Sequence, residues 1–290
     1  MESDSHTPSH DLGPTELVGR PGESYLEKLN NVQGSRFNRS AIALGNNSIP
    51  TSPDVLALLM MQQQTEMTNA DHDKATFNLP QKEAGTGQDR YNGRDAARFF
   101  SSFSRPGSKS DTGVNMYSWN ISSGDAVRAF AENRVAMMVG YPYQKKSLER
   151  INPDLQYSVA PVPQLGEKDP VNYASYWPEV VWKDSKYQAE AWDFIRFVSD
   201  RNQLSVYLDT TSRVSPRTDV RGPGELNAFY EQNASATTWY KGKAAEADQI
   251  FRDMIRRLLE GEDIARAIDA AAEQVTTELQ DVKKRFPPPQ

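Results

Sequence analysis

The stretch "RVAMMVGYPYQ" (Arg134–Gln144) gives the strongest indication of the fold. Its five consecutive apolar residues predict a short buried strand that ends at Gly140. Tyr141 and Tyr143 follow on either side of a proline, so the strand leads directly into a turn that carries two aromatic rings. Rings in such a turn are expected either to cover the core or to bind a ligand.

Helices and strands alternate on both sides of this stretch. The other predicted strands are "SAIALG" (Ser40–Gly45), "QYSVAPVPQ" (Gln156–Gln164) and "EVVW" (Glu179–Trp182). The predicted helices include "VLALLMMQQQ" (Val55–Gln64), "GRDAARFFSSFS" (Gly93–Ser104), "SSGDAVRAFAENR" (Ser122–Arg134), "YQKKSLERI" (Tyr143–Ile151) and "SKYQAEAWDFIRFVSD" (Ser185–Asp200). This alternation predicts an α/β fold with helices packed on a sheet.

The sequence predicts further details for two of these helices. Ser52 or Asp54 is a candidate cap for the helix that follows the first strand, with Pro53 favourable in its first turn. In the helix within Ser185–Asp200, the apolar stripe is expected to face the core, and Trp182 and Trp192 are assigned to the core with it. Between the helices, residues 68–92 are polar and broken by glycine and proline, which predicts an excursion with a small hairpin.

The two ends of the chain differ from this middle section. Residues 1–24 are rich in Ser, Pro, His and Gly without periodicity and are interpreted as a disordered lead-in. Residues 25–235 are assigned to an α/β ligand-binding lobe, and residues 236–285 to a C-terminal helical segment. The segment contains two amphipathic helices around Gly261. Their apolar faces include Ile250, Met254, Leu258, Ile268 and Val275.

Composition argues against several classes of function. The net charge is −6 and no basic stripe is present, so a nucleic-acid partner is not expected. The chain has no cysteine, which excludes thiol catalysis and disulfides. The longest apolar run, "VLALLMM" (Val55–Met61), is too short to cross a bilayer, and neither a signal peptide nor a lipobox follows Met1.

Catalytic signatures are also weak. The three histidines, His6, His10 and His72, lie in polar irregular segments, which argues against a histidine base. No metal or cofactor motif is recognised, and none is expected. The remaining enzymatic alternative is a glycoside hydrolase that uses Glu179 and Asp184 as its pair of carboxylates.

Aromatic residues recur where predicted strands end. They are Trp119, Tyr141, Tyr143, Tyr173, Tyr176 and Trp177. In open α/β sheets the carboxyl ends of the strands form the crevice in which ligands bind, and flat rings there stack on the apolar faces of sugars. These six residues are therefore candidate ligand-binding residues, and a carbohydrate is the expected ligand.

The order of these segments resembles the second lobe of bacterial extracellular solute-binding proteins of the maltose-type cluster. "AFAENRVAMMVGYPYQ", "LQYSVAPVPQ", "EVVWKDSKYQAEAWDFIRFVSD" and "TSRVSPRTDV" carry the likeness, and "SAIALGNNSIPTSPDVLALLMMQQ" adds an earlier segment. The resemblance implies a periplasmic-binding-protein-like (type II) lobe with helices on a mixed sheet. It further implies the substrate-binding subunit of an ABC transporter, which is not an enzyme and delivers its sugar to membrane permease subunits.

By the same resemblance, Tyr143 stands where the family has a stacking tryptophan, and Tyr176 and Trp177 occupy a loop that faces the cleft. Arg217 lies near the region between the lobes. The implied location is extracellular or in the cell envelope, with the membrane reached only through the permease or a missing lipid anchor. The family's first lobe has no counterpart before residue 25, so the C-terminal helices, which normally pack on it, are expected to expose their apolar faces.

Overall fold

The computed structural model describes residues 24–33, 36–82, 85–165, 169–222 and 224–286. Its helices are α1 Tyr25–Leu29, α2 Ser52–Gln62, α3 Asn92–Ser102, α4 Ala126–Ala131, α5 Lys145–Ile151, α6 Gln188–Ser199, α7 Arg201–Thr211, α8 Asn227–Gln232, α9 Ala244–Leu259 and α10 Ile264–Arg285. Its strands are β1 Asn31–Gln33, β2 Arg36–Ala43, β3 Gln81–Lys82, β4 Asp89–Arg90, β5 Val135–Met138, β6 Asn172–Tyr173 and β7 Ala236–Thr237. Apart from Ser24, which caps α1, the predicted lead-in at residues 1–24 lies outside the described residues.

The main sheet is small and mixed. Its order is β1-β2-β5, with β1 antiparallel and β5 parallel to β2. The register places Ile42 beside Met137 and Ala43 beside Met138. The parallel pair confirms the expected α/β class, since β2 and β5 are joined by a long connection that contains helices.

Two short strand pairs lie outside this sheet. β3 and β4 form an antiparallel hairpin, which confirms the prediction for residues 68–92. β6 pairs in parallel with β7, so Asn172 lies beside Ala236 and Tyr173 beside Thr237. The second pair ties the middle of the chain to the segment that precedes the C-terminal helices.

The principal core is formed by helices that are far apart in the sequence. Phe77, Phe100 and Phe251 are all at most 1% exposed, and the rings of Phe77 and Phe251 meet edge to face at 5.4 Å. Gly93 lets α3 approach closely, since a Cβ there would lie 1.9 Å from the carbonyl oxygen of Phe77. Helices α9 and α10 pack against α2 and α3. One continuous apolar interior therefore joins residues 36–102 to residues 244–279.

This packing corrects the prediction for the C-terminal helices. Met254, Leu258, Ile268 and Val275 are at most 1% exposed, and Ile250 is partly buried. The expected exposure of these apolar faces is therefore wrong. Phe77, Phe100 and their neighbours on α2 and α3 cover them.

Three predictions for residues 156–200 are also wrong. Neither Gln156–Gln164 nor Glu179–Trp182 forms a strand. In the first, Pro161 and Pro163 lack the N–H groups that a strand ladder requires. The second lies on the surface, where Trp182 is 69% exposed. Helix α6 does form, but it has no buried residue, and Trp192, assigned to the core, is 48% exposed.

Helix α9 is buried in the main core and α6 is exposed, so we expect substitutions on the two helices to change the free energy of unfolding by different amounts. Phe251→Ala should lower the free energy of unfolding by about 3–5 kcal/mol because it leaves a cavity in the main core. Phe194→Ala on α6 should change it by less than about 0.5 kcal/mol, since that ring is 61% exposed. Urea unfolding followed by circular dichroism measures both. Equal losses for the two variants would contradict the assignment of the core.

Candidate functional site

The turn after β5 presents the two tyrosines. Residues Pro142–Gln144 form a 3-10 helix, and the buried side chain of Gln144 folds back so that its Oε1 accepts the N–H of Tyr141 at 2.7 Å. A Cβ at Gly140 would lie 2.2 Å from that oxygen. Glycine is therefore the residue that leaves room for this capping contact.

The rings of Tyr141 and Tyr143 stack on one another. Their centroids are 5.8 Å apart with an angle of 14° between the planes. Tyr141 is partly buried, whereas Tyr143 is 45% exposed. The inner ring thus supports the outer one, and the outer ring offers aromatic surface to solvent.

A buried ion pair holds the inner ring. The hydroxyl of Tyr141 donates to Oδ2 of Asp54 at 2.7 Å. Lys241 Nζ donates to Oδ1 of Asp54 at 3.0 Å and to Oδ1 of Asp248 at 2.6 Å. The side chains of Lys241 and Asp54 are only 12% and 20% exposed. We call these four residues, Tyr141, Asp54, Lys241 and Asp248, the anchor cluster.

Helix geometry explains the position of Asp54. It lies in the first turn of α2, where unpaired N–H groups and the helix dipole favour a carboxylate. The expected capping bond from Ser52 or Asp54 is absent. The N-cap is Thr51, whose side chain makes no capping bond and instead donates to the carbonyl of Val139, and the hydroxyl of Ser52 donates to the carbonyl of Asn46. The carboxylate of Asp54 is consequently available to Tyr141 and Lys241.

Tyr173 joins the cluster from β6. The ammonium of Lys241 lies 5.3 Å from the centroid of its ring, within the range of a cation–π contact. Arg213 lies on the solvent side, with its guanidinium carbon 5.7 Å from the centroid of the Tyr143 ring. A cation therefore stands near each of these two rings.

The pKa values follow from burial and charge. Burial, followed by the negative charge of Asp54, raises the pKa of Tyr141 well above its usual value, and burial likewise raises the pKa of Tyr173. Burial disfavours the charge on Lys241, but Tyr173, Asp54 and Asp248 outweigh it and raise the pKa of Lys241. At neutral pH the cluster therefore holds neutral phenols around one charged ammonium.

The structure brings together three of the predicted site residues, Tyr141, Tyr143 and Tyr173. Trp119 lies elsewhere. It is fully buried in a second apolar cluster with Val135 and Ala129. Its ring offers no surface to a ligand in this conformation.

The other predicted residues also lie outside the cluster. Arg217 pairs with Asp219 at 2.8 Å on the surface. Tyr176 and Trp177 follow β6 in an irregular, highly exposed stretch, and no ring contact among the described residues involves them. Glu179 and Asp184, the hydrolase alternative, are both exposed in the same region.

Sequence reasoning missed Lys241, Asp248 and Arg213. Lys241 lies 187 residues from Asp54, and no local pattern links a single lysine to a carboxylate so far away. Arg213 stands in the quoted segment "TSRVSPRTDV", but the resemblance drew attention to Arg217 instead. Across the described parts of the chain, no group of three or more His, Cys, Asp and Glu side chains is placed to hold a metal ion.

Comparison with known proteins supports this reading of the fold. Residues 70–201 match the family model described as bacterial extracellular solute-binding protein. These residues, just under half of the chain, are similar to that family. The resemblance found in the sequence is confirmed, and the family is one of binding proteins, described as extracellular. No curated protein matches the chain.

Solved structures show the same solute-binding fold. A solute-binding protein from Thermotoga lettingae, bound to α-D-tagatose, is 18% identical with a TM-score of 0.60, over 83% of this chain and 60% of its own. A maltotriose-bound MalE domain from Bdellovibrio bacteriovorus is 12% identical with a TM-score of 0.59, over 96% and 68%. A maltotetraose-bound cyclo/maltodextrin-binding protein is 14% identical with a TM-score of 0.64, over 94% and 66%.

The chain thus spans about 60–68% of the length of these structures. The TM-scores extend the solute-binding fold beyond the matched residues 70–201 to most of the chain. As for the membrane, no helix in the described ranges combines the length and the apolar character needed to cross a bilayer.

We expect Lys241→Met to lower the free energy of unfolding by about 3 kcal/mol, because it leaves the carboxylate of Asp54 buried without its cation. The double variant Asp54→Asn/Lys241→Met should recover at least about 1 kcal/mol of this loss, since no uncompensated charge remains. Lys284→Met, at an exposed lysine of α10, serves as the control in urea unfolding. A loss no larger than that of the control would contradict a buried ion pair.

Alkaline pH should also destabilise the cluster. The pKa of Tyr141 is raised above the value of roughly 10 that it has in the unfolded chain. Its contribution to stability is therefore complete below about pH 10 and is lost as pH rises toward the folded pKa. Tyr141→Phe should show a decline between about pH 10 and 12 that is shallower by up to about 1.4 kcal/mol per pH unit.

Denaturant unfolding across that range, with Tyr207→Phe on the exposed side of α7 as control, measures the two slopes. Identical slopes for the wild-type chain and Tyr141→Phe would show that the tyrosine hydroxyl is not held as described.

Proposed function

We propose that this chain captures a sugar or oligosaccharide as the substrate-binding component of an ABC importer and delivers it to membrane permease subunits. The observation that carries the proposal is the exposed ring of Tyr143, which rests on the anchored ring of Tyr141 at the end of β5. The solute-binding fold around it and the sugars bound by the three similar structures support the same conclusion.

The chemistry of the ring pair suits a carbohydrate. The apolar face of a pyranose packs against a flat ring, and the ring gains most when it is already fixed before binding. Tyr141 provides this preorganisation for Tyr143 because Asp54 holds its hydroxyl. The nearby guanidinium of Arg213 supplies several N–H donors for sugar hydroxyl groups.

The remaining parts of the proposal follow from the family. Domain closure by hinge motion would bring a second surface onto the sugar held at Tyr143. Delivery to a permease assigns the chain to the extracellular side or the cell envelope. The hydrolase alternative gains no support, because Glu179 and Asp184 lie in the exposed stretch outside the anchor cluster.

The test is a titration with α-D-tagatose, maltotriose and maltotetraose, followed by nuclear magnetic resonance so that weak binding is also detected. Tyr143→Ala should weaken binding of the best ligand at least about tenfold, which corresponds to about 1.4 kcal/mol of lost ring contact. Tyr143→Phe keeps the ring and should stay within about threefold.

Tyr240→Ala is the matched control. Its ring is 44% exposed, almost the same as that of Tyr143, but it lies against His72. This variant should bind like the wild-type chain. The proposal fails if the folded chain binds none of these sugars, or if Tyr143→Ala binds as well as the Tyr240→Ala control.

A further inference from the structure

Among the described residues, exposed aromatic side chains are concentrated between residues 176 and 207. Seven aromatic side chains there are more than half exposed: Tyr176 68%, Trp177 90%, Trp182 69%, Tyr187 69%, Phe194 61%, Phe197 56% and Tyr207 52%. They extend from the irregular stretch after β6 through α6 and α7. We call these seven residues the aromatic face.

The size of the aromatic face is that of an interface. With about 150–250 Å² for each ring, the exposed fractions amount together to roughly 900 Å². The largest apolar patch on a typical monomer is about 300–600 Å², and one side of a standard protein interface is about 800 Å². A surface of this kind marks a place where another polypeptide packs.

Local structure supports the same conclusion. Helix α6 is 12 residues long and has no buried residue. Helices of that length are marginal in water unless one face packs against a partner. Its neighbour α7 buries only Leu204 and Leu208, which form a small cluster with Val220. The aromatic side chains of α6 thus remain without cover from the described part of this chain.

Charge helps to identify the partner. Residues 176–207 contain four basic and five acidic side chains, a net charge of −1. An anionic membrane surface or a nucleic acid would require a basic rim, which this segment lacks. The mixed rim around an aromatic centre is the anatomy of a protein interface.

The comparisons of length indicate which polypeptide this is. The chain spans 60–68% of the three similar structures, so roughly a third of their fold has no counterpart in these 290 residues. The C-terminal helices need no cover, because their apolar residues are already buried in the main core. We infer that the aromatic face is covered by a polypeptide outside these 290 residues that supplies the rest of the solute-binding fold.

The test compares the 290-residue chain produced alone with the protein purified from the cells that make it naturally. Hydrogen exchange in peptides from residues 176–207 should be at least tenfold slower in the natural protein. Peptides from α9 should exchange equally in both, since the main core is complete in either form.

Chemical cross-linking of the natural protein identifies the cover. Lys183 and Lys186 are exposed beside the aromatic face and should link to peptides that are absent from these 290 residues and match the solute-binding fold. Lys284, exposed at the far end of α10, is the control for linking outside the face. Links from Lys183 to a second copy of this chain, or equal exchange in the two samples, would overturn the inference.

A double variant at Phe194 and Phe197 tests the inference without disturbing the fold of the 290-residue chain. Phe194→Asp/Phe197→Asp should leave the thermal midpoint of the 290-residue chain unchanged, because neither ring is buried there. In the natural protein the same pair should abolish the slow exchange of residues 176–207. Ile121→Asp, at a residue 71% exposed outside the aromatic face, should retain it. Retained protection in the Phe194/Phe197 variant contradicts the inference, and none of these measurements requires a sugar.

Discussion

The ion pair between Lys241 and Asp54 is the contact on which the site depends. It joins the beginning of α2 to the segment before α9, and the hydroxyl of Tyr141 attaches the turn after β5 to the same carboxylate. Burying two charges costs several kcal/mol, so such a pair persists only where further hydrogen bonds and a favourable dipole offset the loss of water. Asp248, Tyr141 and the first turn of α2 provide these compensations.

The same contact explains why the two tyrosines have different environments. Tyr141 is fixed below by Asp54 and beside by Tyr143, so its ring has little freedom to move. Tyr143 has no buried bond of this kind in the described structure and is nearly half exposed. A rigid inner ring with an accessible outer ring is a surface prepared for binding, since little entropy remains to be lost when a ligand arrives.

The sequence predicted those elements whose signal is local. The parallel strand at Val135–Met138, the helix Asn92–Ser102 and the hairpin near Gln81 were all accessible from periodicity and turn residues. The predictions that failed concern segments whose structure depends on a neighbouring segment. A stretch such as Glu179–Trp182 has the composition of a strand, but a strand needs a neighbour, and composition does not show whether one is present.

The candidate site was predictable to the same extent. Tyr141 and Tyr143 follow a recognisable strand, so their place at its end could be read from the chain, and Tyr173 proved to lie nearby. Lys241 and Arg213 could not be found this way, because charged residues are common and only the tertiary fold selects the ones that meet a ring. Trp119 shows the opposite error. It was predicted as a ligand-binding residue but is buried, because an aromatic residue near a strand can equally well pack in the interior.

The division of the main core between distant parts of the chain has a consequence for biosynthesis. Ala75 donates its N–H to Thr276, a separation of 201 residues, and α2 and α3 are closed only by α9 and α10. At about 5–20 residues per second, a ribosome needs roughly 10–40 s to produce the intervening length. During that time the apolar sides of α2 and α3 lack their final cover, so the main core can close only after the last helices emerge.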